Sequence, residues 1–261
     1  MDTCIFCGEA KRLSNEHIFP QWLQKYFGIS KETLNITFSS EAPQVKRRLV
    51  FDRHLNGRVC TDCNGGWMSQ LESKAKPILI DLLELKRRSF SEEDSHTLGL
   101  WIFKTVLTLH SASPYPRSIP SHHYHLAYKG IGPSHFMIHV AYLQDSLETP
   151  CWIQDQNWQG LQQHFQGDEL KDKLTQTYRI MFGFGQFAVR VIYFPLKIGL
   201  FSLEDERIQT VHPRRRSVPL EWPPLRSISD LWELNNGIVV STPLLPINLD
   251  QYIDTEDDSD V

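Results

Sequence analysis

Two cysteine clips, Cys4-x-x-Cys7 and Cys60-x-x-Cys63, constrain this chain more than any other feature. Each clip can close a short loop on one ion through two thiolates. Two such clips supply the four ligands of a tetrahedral structural zinc. Gly8 follows the first clip and permits a positive φ at its turn. A unit this small buries too little apolar surface to hold itself together, whereas a structural zinc contributes an apparent ~10–16 kcal/mol of folding free energy. A redox pair at Cys4 and Cys7 is the competing reading. Cys151 stands alone.

The residues beside the clips add chemistry. The first clip is followed by Ser14-Asn15-Glu16-His17-Ile18-Phe19-Pro20, and the second directly by Asn64-Gly65-Gly66-Trp67. Glu16 and Asn64 offer oxygen donors to a hard divalent cation. His17, with an ordinary pKa near 6.5, can accept a proton at neutral pH. The plain alternatives are a surface pair at Glu16-His17 and a turn or cap residue at Asn64.

As a set, these residues resemble the HNH endonucleases, the zinc-clipped branch of the ββα-metal nucleases. That family's pattern is C-x2-C, then an acidic residue and His followed by a hydrophobic residue and Pro, then a second C-x2-C followed by Asn or His. The matching residues are Cys4, Cys7, Glu16, His17, Ile18, Pro20, Cys60, Cys63 and Asn64, in roughly the first quarter of the chain. The family more often has Asp where this chain has Glu16. The resemblance implies a metal-dependent endonuclease that hydrolyses DNA phosphodiester bonds, with RNA not excluded. In that scheme His17 is the general base, and Glu16 and Asn64 hold one Mg²⁺ or another divalent cation. Asn56 is the candidate for orienting the base, with His54 as its competitor. Lys46, Arg47, Arg48, Arg53 and Arg58 form the basic stretch nearest this site and are expected to touch phosphates; a solvated loop is the alternative.

Composition sets outer limits. The chain has 261 residues, 41% of them hydrophobic and 22% charged, which suits a soluble globular protein of one or two domains. No apolar run is long enough to predict a membrane span, and no secretory signal is expected. Cysteines paired as metal clips fit a reducing cytoplasm. The net charge of −4 requires any DNA-facing surface to be local.

The patterning predicts an α+β protein. A zinc-stabilised ββα-metal unit is expected over 1–90, a helix-plus-antiparallel-sheet domain of unknown role over 91–250, and an acidic, disordered tail over 251–261. Pro20 should open a short helix ending at Gly28, and a longer one should run from Trp67 with Pro77 kinking or restarting it. Ser91, followed by Glu92, Glu93 and Asp94, should cap a buried helix in which Lys104 and His110 are snorkelling or helix-end groups. His122, His123, His125, His135 and His139 are expected on loop and strand rather than in a second metal site. Gly183 and Gly185 suggest a hairpin between Tyr178–Phe184 and Phe187–Phe194. Ser227-x-x-Asp230 should open a short helix, and Arg214-Arg215-Arg216 forms a second basic cluster. The second domain could mediate a homo-oligomer or a partner contact, and a bacterial defence or restriction role is an analogy from such arrangements. A zinc-stabilised nucleic-acid-binding or interaction module without catalysis is the competing function.

Overall fold

The computed structural model describes residues 3–28, 33–39, 45–50, 54–112, 118–155, 158, 161, 165–195, 200–203, 205–213, 220–235 and 238–241. Backbone alone is described for 33–36, 38–39, 45–50, 54–57, 149, 200–203, 235 and 238–241. The expected basic cluster at Arg214–Arg216 and the acidic tail lie outside the described residues.

The longest helix, α4 (Glu92–Ala112), starts where its sequence predicts. The Asp94 backbone N–H donates to Ser91 Oγ at 3.0 Å, and the Ser91 N–H donates to Asp94 Oδ2 at 3.2 Å, a reciprocal cap. Its residues are apolar on most sides, so it is buried nearly all round and packs on helix α3 (Ser69–Leu83) and on the main sheet. Neither Lys104 nor His110 snorkels, although His110 does lie in the last turn of the helix, as expected. Lys104 is buried and meets Glu16 and Glu72, while His110 is buried between the Tyr124 hydroxyl and the backbone N–H of Ser118. Both lie mid-core, where a polar group needs a partner rather than a route to water.

The main sheet is built on strand β6 (Phe136–Asp155), paired antiparallel with β7 (Tyr178–Tyr193). On its other side β6 meets β9 (Ile208–His212) antiparallel near one end and β2 (Thr33–Ser39) parallel near the other. Strand β3 (Val45–Val50) completes the order beyond β2. The expected hairpin at Gly183 and Gly185 is instead a single strand, β7. These glycines mark irregular register where β7 passes β6: Gly185 has φ +57°, and a Cβ on Gly183 would sit 2.9 Å from Leu147 Cδ1. Glycine here serves a bulge and a close approach, not a turn. The histidines at 122, 123 and 125 also differ from expectation, lying on a short helix, α5 (His122–Tyr128). Helix α3 runs through Pro77 without restarting. The short helix near 227–235 is capped by Asp230, whose Oδ1 accepts from the N–H groups of Trp232 and Glu233 at 2.7 and 3.1 Å.

The sheet is buried on both faces, because neighbouring residues of β7 serve different clusters. Val189 and Val191 join the main core with Trp101, Phe103 and Val106 of α4. Ala188 packs with Leu143, Ile228 and Leu231, and Ile192 packs with Trp158, Leu161 and Leu170. The main core also takes in Cys4, Phe6, Ile18, Leu23 and Leu71. Among the described residues, one core therefore takes in side chains from both sides of residue 90. Strand β2, from the first ninety residues, joins the main sheet, and β5 (Arg88–Phe90) pairs with β10 (Leu220–Trp222). Pairing satisfies the backbone edge that an isolated N-terminal unit would expose. Mixed helix and antiparallel sheet make this an α+β fold. Among the described residues, no helix is long and apolar enough to cross a membrane.

Candidate functional site

The cysteine clips fold as their spacing dictates. Gly8 takes φ +76°, its N–H donates to the Cys4 carbonyl at 2.9 Å, and the first clip closes into a knuckle. The second clip begins at the end of β4 (His54–Cys60) and turns through α2 (Thr61–Cys63). Antiparallel pairing of β4 with β1 (Leu13–His17) brings the clips together, with Leu13 opposite Cys60. The ligand atoms of Cys4, Cys7, Cys60 and Cys63 all lie within 4.8 Å of one another. Cys7 Sγ and Cys60 Sγ are 3.8 Å apart. A tetrahedron with Zn–S bonds of ~2.3 Å has an edge of about 3.8 Å, so these four sulfurs fit a zinc ion.

Backbone N–H groups support the sulfurs. Cys60 N–H donates to Cys4 Sγ and Cys63 N–H to Cys60 Sγ, each at 3.4 Å. Burial pushes the Cys7 and Cys63 thiols up. It acts the same way on Cys4, but the backbone N–H groups of Cys60, Cys7 and Phe6 outweigh it, leaving that thiol below its ordinary value. Thiols raised by burial must lose protons to bind a metal, so loading releases protons and weakens in acid.

Strand β1 carries the remaining candidates. Successive side chains on a strand face opposite ways, so Glu16 and His17 cannot share a face. Glu16 is only 4% exposed, and its Oε1 lies 2.6 Å from Lys104 Nζ. Lys104 is fully buried and also meets Glu72 of α3 at 2.8 Å. Burial works against its charge, but Glu16 and then Glu72 offset this and raise its pKa. Glu16, expected as an oxygen donor to a catalytic cation, thus meets an ammonium in the core. The alternation that turns His17 outward turns Glu16 into the core, where an ammonium engages it.

His17 is partly exposed, with its Nε2 3.2 Å from Gln21 Nε2 at the start of α1 (Gln21–Phe27). Asn64 opens a wide turn over Asn64–Met68 that leads into α3. Its amide nitrogen donates to Ser14 Oγ at 3.1 Å and to the Asn15 carbonyl at 3.2 Å, and Ser14 Oγ donates to the Val59 carbonyl at 3.0 Å. The turn after the second clip is thus braced on the strand that carries His17. Gly66, with φ −95° and ψ −109°, leaves the helical region to make that turn.

Asn56 pairs in register with Asn15, and His54 with His17, but their side chains lie outside the described residues. The same holds for the side chains of Lys46, Arg47 and Arg48, whose backbone forms β3, and Arg53 is wholly outside. Arg58 is exposed on β4 just before Cys60. Among the described residues, the four cysteines are the only group of three or more His, Cys, Asp or Glu whose ligand atoms converge. The residue that sequence reasoning missed is Lys104. Its signal was a single cation in an apolar helix, with no indication of which carboxylates it would meet. No family model matches the chain, and neither a curated protein nor a solved structure matches it.

Proposed function

We propose that this chain is a zinc-stabilised, metal-dependent endonuclease of the HNH type that hydrolyses phosphodiester bonds, DNA foremost. One observation supports the reading above the others. A strand ending in a partly exposed histidine, His17, pairs with the strand that enters the second clip, and Asn64 beyond that clip is hydrogen-bonded back onto the first strand. In this reading His17 takes the proton from the attacking water, and its contact with Gln21 helps to fix the ring. A divalent cation would take Asn64 as its protein oxygen donor and neutralise charge on the phosphate. Glu16 holds the strand to the core through Lys104 rather than serving the cation. Arg58, with the basic stretch at Lys46–Arg48 and Arg53, would supply backbone contacts. A role in bacterial defence or restriction remains an analogy.

The second reading is a nucleic-acid-binding module without catalysis. The commitment of Glu16 to Lys104 favours it, because that removes one of the two expected cation ligands. Purified protein incubated with plasmid DNA and with a matched RNA, with and without Mg²⁺, separates the readings. The expected result is nicking or cutting that requires Mg²⁺ and disappears in His17→Ala while zinc content is unchanged. Cleavage that survives His17→Ala removes the base assignment. Retention of DNA without cleavage favours the binding module, and neither binding nor cleavage removes both.

A further inference from the structure

The sheet face turned away from α4 carries a buried polar belt between two apolar clusters. Ala188, Arg190 and Ile192 follow at intervals of two on β7 and so share that face. Ala188 belongs to the cluster with Met181 and Leu231, and Ile192 to the one with Trp158, Leu161 and Leu170. Arg190 lies between them, fully buried, with His139 of β6 directly opposite in the strand pairing. Arg179 shares the belt, pairing with Asp155 and lying over the Trp158 ring at 4.6 Å.

The described acids nearby, Asp155 and Asp205, each pair with another arginine, although the charge of Asp205 still reaches Arg190. Asp155 is matched to Arg179. Asp205 accepts from Nε and Nη2 of Arg207 at 3.0 and 2.8 Å, and Arg207 also reaches Glu233 at 2.6 Å. The Nε, Nη1 and Nη2 atoms of Arg190 are buried with no acceptor among the described residues, and so is Nδ1 of His139. Burial, reinforced by the charge of Arg179 and only partly offset by that of Asp205, lowers the Arg190 pKa to about 9, which still leaves it charged at neutral pH. Burial and then the charge of Arg190 push His139 well below its ordinary value, so it is neutral and has one ring N–H to give. A buried charge is tolerated when hydrogen-bonded and costly otherwise.

We infer that Arg190 and His139 form a binding site for an oxyanion, a phosphate or carboxylate group that accepts from the guanidinium fork and the imidazole N–H together. The planar fork of arginine matches two oxygens of either group. A neutral ligand would add no negative charge beyond the partial compensation from Asp205. The inference is independent of the nuclease reading, since none of these residues lies on β1, β4 or the clips.

The test uses the full chain in its zinc-loaded form. Thermal unfolding is followed while inorganic phosphate, or separately malonate, is titrated at constant ionic strength against chloride. The wild type should show a saturable rise in Tm with at least one of the two, and which one identifies the acceptor as phosphate or carboxylate. Arg190→Met and Arg190→Gln should bind that anion at least tenfold more weakly. In chloride alone, Arg190→Met should unfold no earlier than the wild type. No saturable response to either anion would overturn the site. So would an equal response in both variants, which would mark a general salt effect. Early unfolding of both variants in chloride would also overturn it, because the protein itself would then be holding the guanidinium.

Discussion

Lys104 of α4 and Arg190 of β7 are both buried without exposure, yet Lys104 meets two carboxylates at 2.6 and 2.8 Å whereas Arg190 meets no acceptor among the described residues. The first cation joins three elements: β1 through Glu16, α3 through Glu72, and its own helix. It ties the cysteine-clipped region to the rest of the core. The second faces His139 across a strand pair, and the described acids nearest it, Asp155 and Asp205, each pair with another arginine. A buried charge with its partners in place works as a fastening, while one with no acceptor among the described residues is the basis of the proposed oxyanion site. The two regions are also held differently. Four sulfurs hold the first about a point, and the sheet is held by apolar burial on both faces.

The widest separation between the regions should come from the clips. Cys60→Ser, or a strong chelator, should remove stoichiometric metal and unfold the first region, since a structural zinc contributes an apparent ~10–16 kcal/mol. Because Cys4, Cys60 and Leu71 share a core with Trp101 and Val189, the rest of the chain should also lose cooperativity. Metal analysis with circular dichroism checks this, and a well-folded metal-free variant would refute the structural role of the ion.

Lys104→Met comes next. It leaves the buried Glu16 without its cation, near the partly exposed Glu72, and should cost about 3–5 kcal/mol in chemical denaturation. Lowering the pH, or adding Glu16→Gln, should recover part of that loss by removing the unmatched negative charge. Arg190→Met should cost nothing in chloride, and equal losses in the two variants would erase the contrast drawn here.

Acid should weaken the sheet region on the order of a few kcal/mol. Burial pushes His123 down to about 3, so the folded state refuses a proton that the unfolded chain accepts. Stability is therefore full above about pH 6.5 and declines as pH falls from there towards 3. His123→Gln should lessen that decline in denaturation curves measured across the range, with His139, also held neutral by burial, supplying part of what remains. The smallest effect is expected at Ser91→Ala, about 1 kcal/mol from the lost cap of α4. A loss several times larger would mean that Ser91 does more than cap.

Local signals were legible in the sequence wherever a short segment carries its own reason. The clip spacing, the Ser91–Asp94 cap and the helix closing at Gly28 all appear as the residues indicate. Gly183 and Gly185 misled, because a glycine needed for a bulge against Leu147 looks the same in sequence as one needed for a turn. The site divided in the same way. Bringing the four cysteines together was implicit in their spacing, but the fate of Glu16 was not.

By itself, then, the sequence determined the sulfur cluster, the main helices and the α+β character, because cysteine spacing, capping and hydrophobic period act over a few residues. The tertiary structure alone decided that β2 joins the main sheet, that Glu16 faces Lys104, and that Arg190 is left without an acceptor among the described residues. These outcomes depend on which groups far apart in the chain become neighbours, and only the completed packing sets that.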